Sequence, residues 1–272
     1  MDRRDFLSVP LLVAGGIVLG QWRPSAGQQV PASAGPAAPA LIEDLVAANR
    51  IIAQEAVVDA YGHISARHDR DPNRYLLSRS LAPALVTPDD LIEYDLDSRP
   101  VNAKGRSEYA ERFIHGEIYK ARPDVRAIVH AHAPSLVAFA ASGVPLRPMF
   151  HMAGFIGDAV PVFDIRQASG MTDMLVRDGA RGRALAQALG NRTAVLMRGH
   201  GVAVVGPSLP FAVGRSIYLD LNARIEAQAL GLGGPVAYLD PAEAQQVLQS
   251  GENRGYDRPW ELWKQRALGR QP

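Results

Sequence analysis

Residues 125–135 read VRAIVHAHAPS. The apolar triplet Ala127-Ile128-Val129 leads into His130 and His132, and Pro134 follows. In a strand, residues two apart share a face. A strand over 126–132 therefore turns both imidazoles the same way, roughly 6–7 Å apart along the chain. Two rings so placed can converge on one cation at about 2.0–2.1 Å each. The sequence then predicts a strand that ends in a ligand pair, with a helix beginning near Pro134.

The pattern extends outward from there. Leu41, Leu45, Ala48, Ile52 and Ala56 recur at helical spacing, and Tyr61-Gly62 closes that helix. YLLS (75–78) and LIEYD (91–95) read as short strands. Ser107 to Ala121 reads as a helix, with Pro123 just past its end. An apolar strand is expected near 159–163, and one continuous helix from Met171 to Leu189. TAVLM (193–197) and VAVV (202–205) read as strands joined by Arg198-Gly199-His200-Gly201, and a long helix runs from Ser208 to Leu230. Two shorter helices fall near 241–249 and 258–267. Strands and helices alternate without a strict βαβ repeat. The expected fold is α/β, a single three-layer αβα domain over 41–272 with a mixed central sheet.

The N-terminus is a separate object. Arg3-Arg4 and Phe6-Leu7 precede an apolar stretch from Val9 to Gly20, too short to span a bilayer. Ala32-Ser33-Ala34 fits an A-x-A cleavage site. RRDFL resembles a twin-arginine export signal. The expectation is a signal peptide over 1–34, a linker at 35–40 and a periplasmic mature protein without a membrane span. Residues 1–34 hold three of the 29 basic and two of the 28 acidic residues, which leaves 26 of each. That balance argues against nucleic acid as a partner, because phosphate backbones reward a basic excess.

The 272 residues include no cysteine, so no disulfide, thiolate nucleophile or sulfur-ligated zinc is available. Neither G-x-S-x-G nor the phosphate-loop G-x-x-x-x-G-K-[ST] occurs. A metal would be held by His, Asp or Glu. His130 and His132 supply two donors, and His200, following a second strand, supplies a third. Glu111 and His115 stand four apart on one predicted helix face. The carboxylate would serve as a fourth ligand or as an acid/base. His115 could instead pack under the sheet, and His68, in ARHDRDPNR, reads as a solvated loop residue.

GHISAR (62–67), LVTPDDLI (85–92), ERFIHGEIYKARPDVRAIVHAH (111–132) and LMRGHGVAVVG (196–206) together resemble the class II aldolase/adducin family. The resemblance runs from about residue 41 to 240. It implies a divalent metal on His130, His132 and His200, zinc foremost with manganese, magnesium, cobalt or iron as alternatives. It makes Glu111 a ligand or the proton-transfer residue, and it implies a homotetramer. LLSRSLAPALVTPDDL and VPLRPMFHMAGFIGD resemble the family's decarboxylases of dihydroxyphthalate-type and carboxylated muconic semialdehyde acids.

Sugar-phosphate aldolases of the family grip phosphate through small hydroxyl and glycine residues. Here the matching positions carry His63 and Ser65, Arg79-Ser80, and Tyr109-Ala110. Arginine and histidine suit a planar carboxylate. The resemblance therefore implies a metal-dependent carbon–carbon lyase, foremost a decarboxylase of a small hydroxylated aromatic or ring-cleavage carboxylate. His63, Ser65, Arg79, Ser80, His115 and His151 would bind substrate. An aldolase or epimerase on a non-phosphorylated sugar or hydroxy-keto acid is the alternative. A non-catalytic, adducin-like scaffold is a third.

Overall fold

Alternation along each strand sorts the side chains into two apolar layers on either side of one sheet. The computed structural model describes residues 30–249 and 256–270. Its strands are β1 (His63–Arg67), β2 (Arg74–Ser78), β3 (Leu91–Asp95), β4 (Ala127–Ala131), β5 (Val162–Phe163), β6 (Ala194–Met197) and β7 (Gly201–Gly206). They order β3-β2-β1-β4-β7-β6-β5. Every pairing is antiparallel except β5 with β6, so the sheet is mixed.

Along β4, Ala127, Val129 and Ala131 join one core while Ile128 joins the other. The first core lies under α1 (Pro39–Gln54), α3 (Pro134–Ser142), α6 (Leu209–Gly231) and α8 (Asp257–Ala267). The second lies under α2 (Arg112–Ala121) and α5 (Gly179–Leu189). This is the three-layer αβα arrangement expected. The remaining helices are α4 (Ile165–Ser169) and α7 (Pro241–Gln249). Among the described residues no helix is long and apolar enough to cross a membrane.

Several boundaries differ from expectation, and the first helix, expected to close at Tyr61-Gly62, stops at Gln54, with Ala56 at φ +56. The helix expected from Ser107 starts only at Arg112, leaving Glu111 at its N-cap. The helix expected over 171–189 forms only from Gly179. Short α4 stops at Gly170 (φ +66), and α5 begins after Asp178, whose carboxylate accepts the Arg181 N–H at 2.9 Å. An Asp that caps a helix start satisfies an otherwise orphaned N–H, and so ends any continuous helix before it. Residues 170–178 are a loop.

Most of the expected export signal, residues 1–29, lies outside the described residues. Ser33 Oγ and the Ala34 N–H donate to the Glu93 carboxylate at 2.5 and 2.8 Å. His68 is not a solvated loop residue. It is buried, with Nε2 3.1 Å from the Gly35 carbonyl and Nδ1 accepting the Arg70 N–H.

Candidate active site

The second core layer carries the site at its edge. Register pairs His63 of β1 with His130 of β4, and His130 in turn with Ala203 of β7. Directly opposed residues of an antiparallel pair share a face, so His63 and His130 project together. His132 lies one residue past the end of β4, and His200 sits in the turn between β6 and β7. In that turn Gly199 takes φ +64. A Cβ on Gly201 would collide with the Ala131 carbonyl and stand 3.0 Å from His132 Cδ2. The two glycines let the turn fold back onto the end of β4, which brings His200 to His132.

Four donors converge. His130 Nε2 and His200 Nε2 lie 3.0 and 3.1 Å from His132 Nε2. Glu111 Oε2 lies 3.5 Å from His130 Nε2 and 3.3 Å from His200 Nε2. All four ligating atoms fall within 4.8 Å of one another. A tetrahedral ion with arms of about 2.0–2.1 Å has donor–donor edges of about 3.3–3.4 Å, so the cluster has the size of a single divalent site.

Protonation supports the same fit. His130 Nδ1 donates to the Val202 carbonyl and His200 Nδ1 to the Met174 carbonyl, each at 3.0 Å. Their Nδ1 protons are thus committed, and both rings present Nε2 lone pairs to the centre. Lone pairs facing at 3.0–3.1 Å need a positive charge between them. Burial and the neighbouring imidazoles push His132 down to about 4. For His200, burial works downward, but the hydrogen bond and charge of Glu111 outweigh it and hold the ring above its ordinary value. Burial raises Glu111, yet His130 and His200 more than compensate and keep the carboxylate ionised well below the usual range. Three imidazoles and one anion at this spacing fit a cation.

Loop 170–178 completes the cage through its backbone. The Met174 carbonyl orients His200, and the Val176 N–H donates to Glu111 Oε1 at 2.9 Å. Met174 holds φ +69, a left-handed conformation unfavourable for a non-glycine residue. Sequence reasoning missed these groups because it placed a helix over them. The available signals were Gly170, Asp173 and the Asp178-Gly179 start.

The remaining predicted residues divide. His63 stands beside the cluster, its ring 5.0 Å from that of His130 and 4.4 Å from Tyr109. Tyr109, read in the sequence only as a replaced serine, donates its hydroxyl to the Leu81 carbonyl and forms an aromatic wall with His63. His115 and Ser65 are fully buried behind His63, with both His115 nitrogens engaged, so neither faces a ligand as expected. Arg79 is half-exposed and ion-paired through Nε to Asp90 at 2.6 Å. The Ser80 N–H donates to the Ser107 carbonyl. His151 is exposed, with its ring against Phe150, and among the described residues no hydrogen bond or ring contact joins it to the cluster.

The sequence pattern of the class II aldolase and adducin N-terminal domain matches residues 43–227. The chain belongs to the class II aldolase and adducin family. It is 36% identical to the decarboxylase tropJ of Talaromyces stipitatus over 244 residues, covering 82% of this chain and 92% of that protein. It is 30% identical over 234 residues to a 3,4-dihydroxyphthalate decarboxylase of Arthrobacter keyseri, covering 80% and 90%. The solved L-fuculose 1-phosphate aldolase of Glaciozyma antarctica superposes with a TM-score of 0.69 at 27% identity, covering 85% of this chain and 92% of that one. With its four-donor cluster intact, this member of the family is an enzyme, a lyase.

Proposed function

We propose that the protein decarboxylates a small hydroxylated aromatic carboxylic acid. The observation that carries this reading is the convergence of His130, His132, His200 and Glu111 within 4.8 Å, in a chain whose 36%-identical relative is named a decarboxylase. His130, His132 and His200 would hold the cation, with Glu111 beside it. Bound there, a divalent ion keeps its full charge on neutral ligands and acts as a Lewis acid toward substrate oxygen.

The protein's own residues supply the rest. Glu111 is ionised before substrate arrives, so it begins as a base. It takes the proton of the hydroxyl adjacent to the carboxylate and returns it to the ring carbon that bears the carboxylate. The carbon–carbon bond then breaks, carbon dioxide leaves, and the bonding pair flows onto the adjacent oxygen, which regains a proton from solvent. His63 and Tyr109 flank the substrate. The terminal amino groups of Arg79, free of its Asp90 contact, would meet a second carboxylate, with Ser80 beside them.

Zinc is the proposed ion, since imidazole donors suit it and no thiolate is present. A homotetramer, and export to the periplasm on the strength of Arg3-Arg4-Asp5-Phe6-Leu7, belong to the same proposal. The test is carbon dioxide release by zinc-loaded protein from a panel of catechol carboxylates. Release from at least one member, abolished by chelation, is the expected result. Loss of none of them, with metal bound, would overturn the reading.

A further inference from the structure

We propose that a buried hydrogen-bond chain beginning at Tyr119 fixes His63 as a neutral imidazole with its proton on Nε2, and that this proton grips the carboxylate of the substrate. The substrate half of this proposal rests on the decarboxylase reading; the tautomer half does not.

The chain runs Tyr119 Oη to Ser65 Oγ at 2.8 Å, Ser65 Oγ to His115 Nδ1 at 2.6 Å, and His115 Nε2 to His63 Nδ1 at 2.7 Å. It threads between β1 and α2, with Tyr119 one turn after His115. Tyr119 is 1% exposed, and Ser65 and His115 are 0% exposed, so no solvent replaces a missing partner.

Three proton arrangements are possible for neutral members. In the first, Tyr119 donates to Ser65, Ser65 donates to His115 Nδ1, and His115 Nε2–H donates to His63 Nδ1. Every link then has one donor and one acceptor, and His63 is left with its proton on Nε2. In the reverse direction His63 donates inward and Ser65 donates to Tyr119. The Tyr119 proton then has no acceptor among the described residues. If Tyr119 and His115 both donate to Ser65, the Ser65 proton is stranded instead. Buried polar groups are very rarely left so, which selects the first arrangement. Burial holds the Tyr119 phenol well above its ordinary range, so it keeps the proton it must donate. Burial also presses His115 down to about 3, which keeps that ring neutral.

His63 Nε2 makes no hydrogen bond to the described protein, and its ring stands beside His130, at the wall of the metal cluster. A neutral N–H fixed in direction there is matched by a group that only accepts. A carboxylate does so, and a hydroxyl that must itself donate does so less well. His63, not His115 or Ser65, touches the substrate. His115 and Ser65 are positioning residues that act through it.

Two measurements on the zinc-loaded full chain test this. Nitrogen NMR of histidine-labelled protein should show His63 protonated at Nε2 in the wild type, and a mixture of tautomers in Ser65→Ala, where His115 Nδ1 loses its only partner. Calorimetric affinities for 2,3-dihydroxybenzoate and for catechol should differ about 10-fold or more in the wild type, because hydrogen bonds to charged groups have that scale. The ratio should shrink several-fold in Ser65→Ala and approach one in His63→Phe, with zinc content unchanged. His115→Phe, which breaks the same chain at the next link, replaces Ser65→Ala if that variant misfolds. A wild-type His63 proton on Nδ1, or an affinity ratio untouched by breaking the chain, overturns the proposal. Carbon dioxide release with the proton on Nδ1 would refute this inference alone. The expected tautomer and affinity ratio without any turnover would refute only the decarboxylase reading.

Discussion

Glu111→Gln isolates charge from shape at the heart of the site. Glutamine fills nearly the same volume, and its amide oxygen can still accept the Val176 N–H now held by Oε1. What disappears is one negative charge 3.3–3.5 Å from two imidazole nitrogens. At an effective dielectric of about 20, a unit charge pair at that separation interacts by roughly 5 kcal/mol. In metal-free protein the loss should show directly: His200, held up by Glu111, should titrate at lower pH, which NMR of its ring protons would read. With zinc bound, three imidazoles remain, so elemental analysis should still find the ion. Turnover should fall about 10²–10⁴-fold, the usual weight of a positioned acid/base group, in kcat measured by carbon dioxide release. A variant with full activity would remove the proton-transfer role. A variant that loses its zinc would make Glu111 an indispensable ligand instead.

Replacing His130 and His132 together with alanine should abolish metal binding while circular dichroism stays that of a folded α/β protein; undiminished metal would refute the ligand assignment. Gly201→Ala should destabilise the protein by about 1–3 kcal/mol or more, because its Cβ collides with the Ala131 carbonyl, and urea unfolding with an unchanged midpoint would contradict that packing. Acidifying metal-free protein should also destabilise it. His115 and His132, at about 3 and 4 when folded, sit below the roughly 6.5 of an unfolded histidine. Between those values the folded state binds fewer protons than the unfolded one. The stability is therefore complete above about pH 6.5 and drains as pH falls toward 4. Glu111, also depressed, adds to this at the acid end, whereas raised His200 works the other way. A urea midpoint independent of pH from about 7 to 4 would count against these buried neutral rings.

The strands that carry the ligands were legible because each alternates cleanly. Ala127 to Ala131 divides its side chains between two cores, and His130 simply occupies the position where the second core meets the site. H-x-H and G-H-G marked the three histidines that cluster, and Glu111 was read on the helix ahead of the first pair, four residues before His115. Loop 170–178 was not legible. Met174, Leu175 and Val176 are apolar and fit helical periodicity, and nothing local shows that their backbone groups are taken by His200 and Glu111. His115 and Ser65 were assigned to substrate because residue type alone does not tell a ring that faces a ligand from one whose two nitrogens are already spent. Nor does a motif show that Arg79 is shared with Asp90, a partner settled by tertiary contact.

Loop 170–178 hydrogen-bonds to His200 and Glu111 through a carbonyl and an amide, groups every residue but proline possesses. Met171, 89% exposed, can change without disturbing either contact. The two contacts that close the cage are thus independent of the exposed side chains of the same loop, which can be exchanged while the cage is inherited intact.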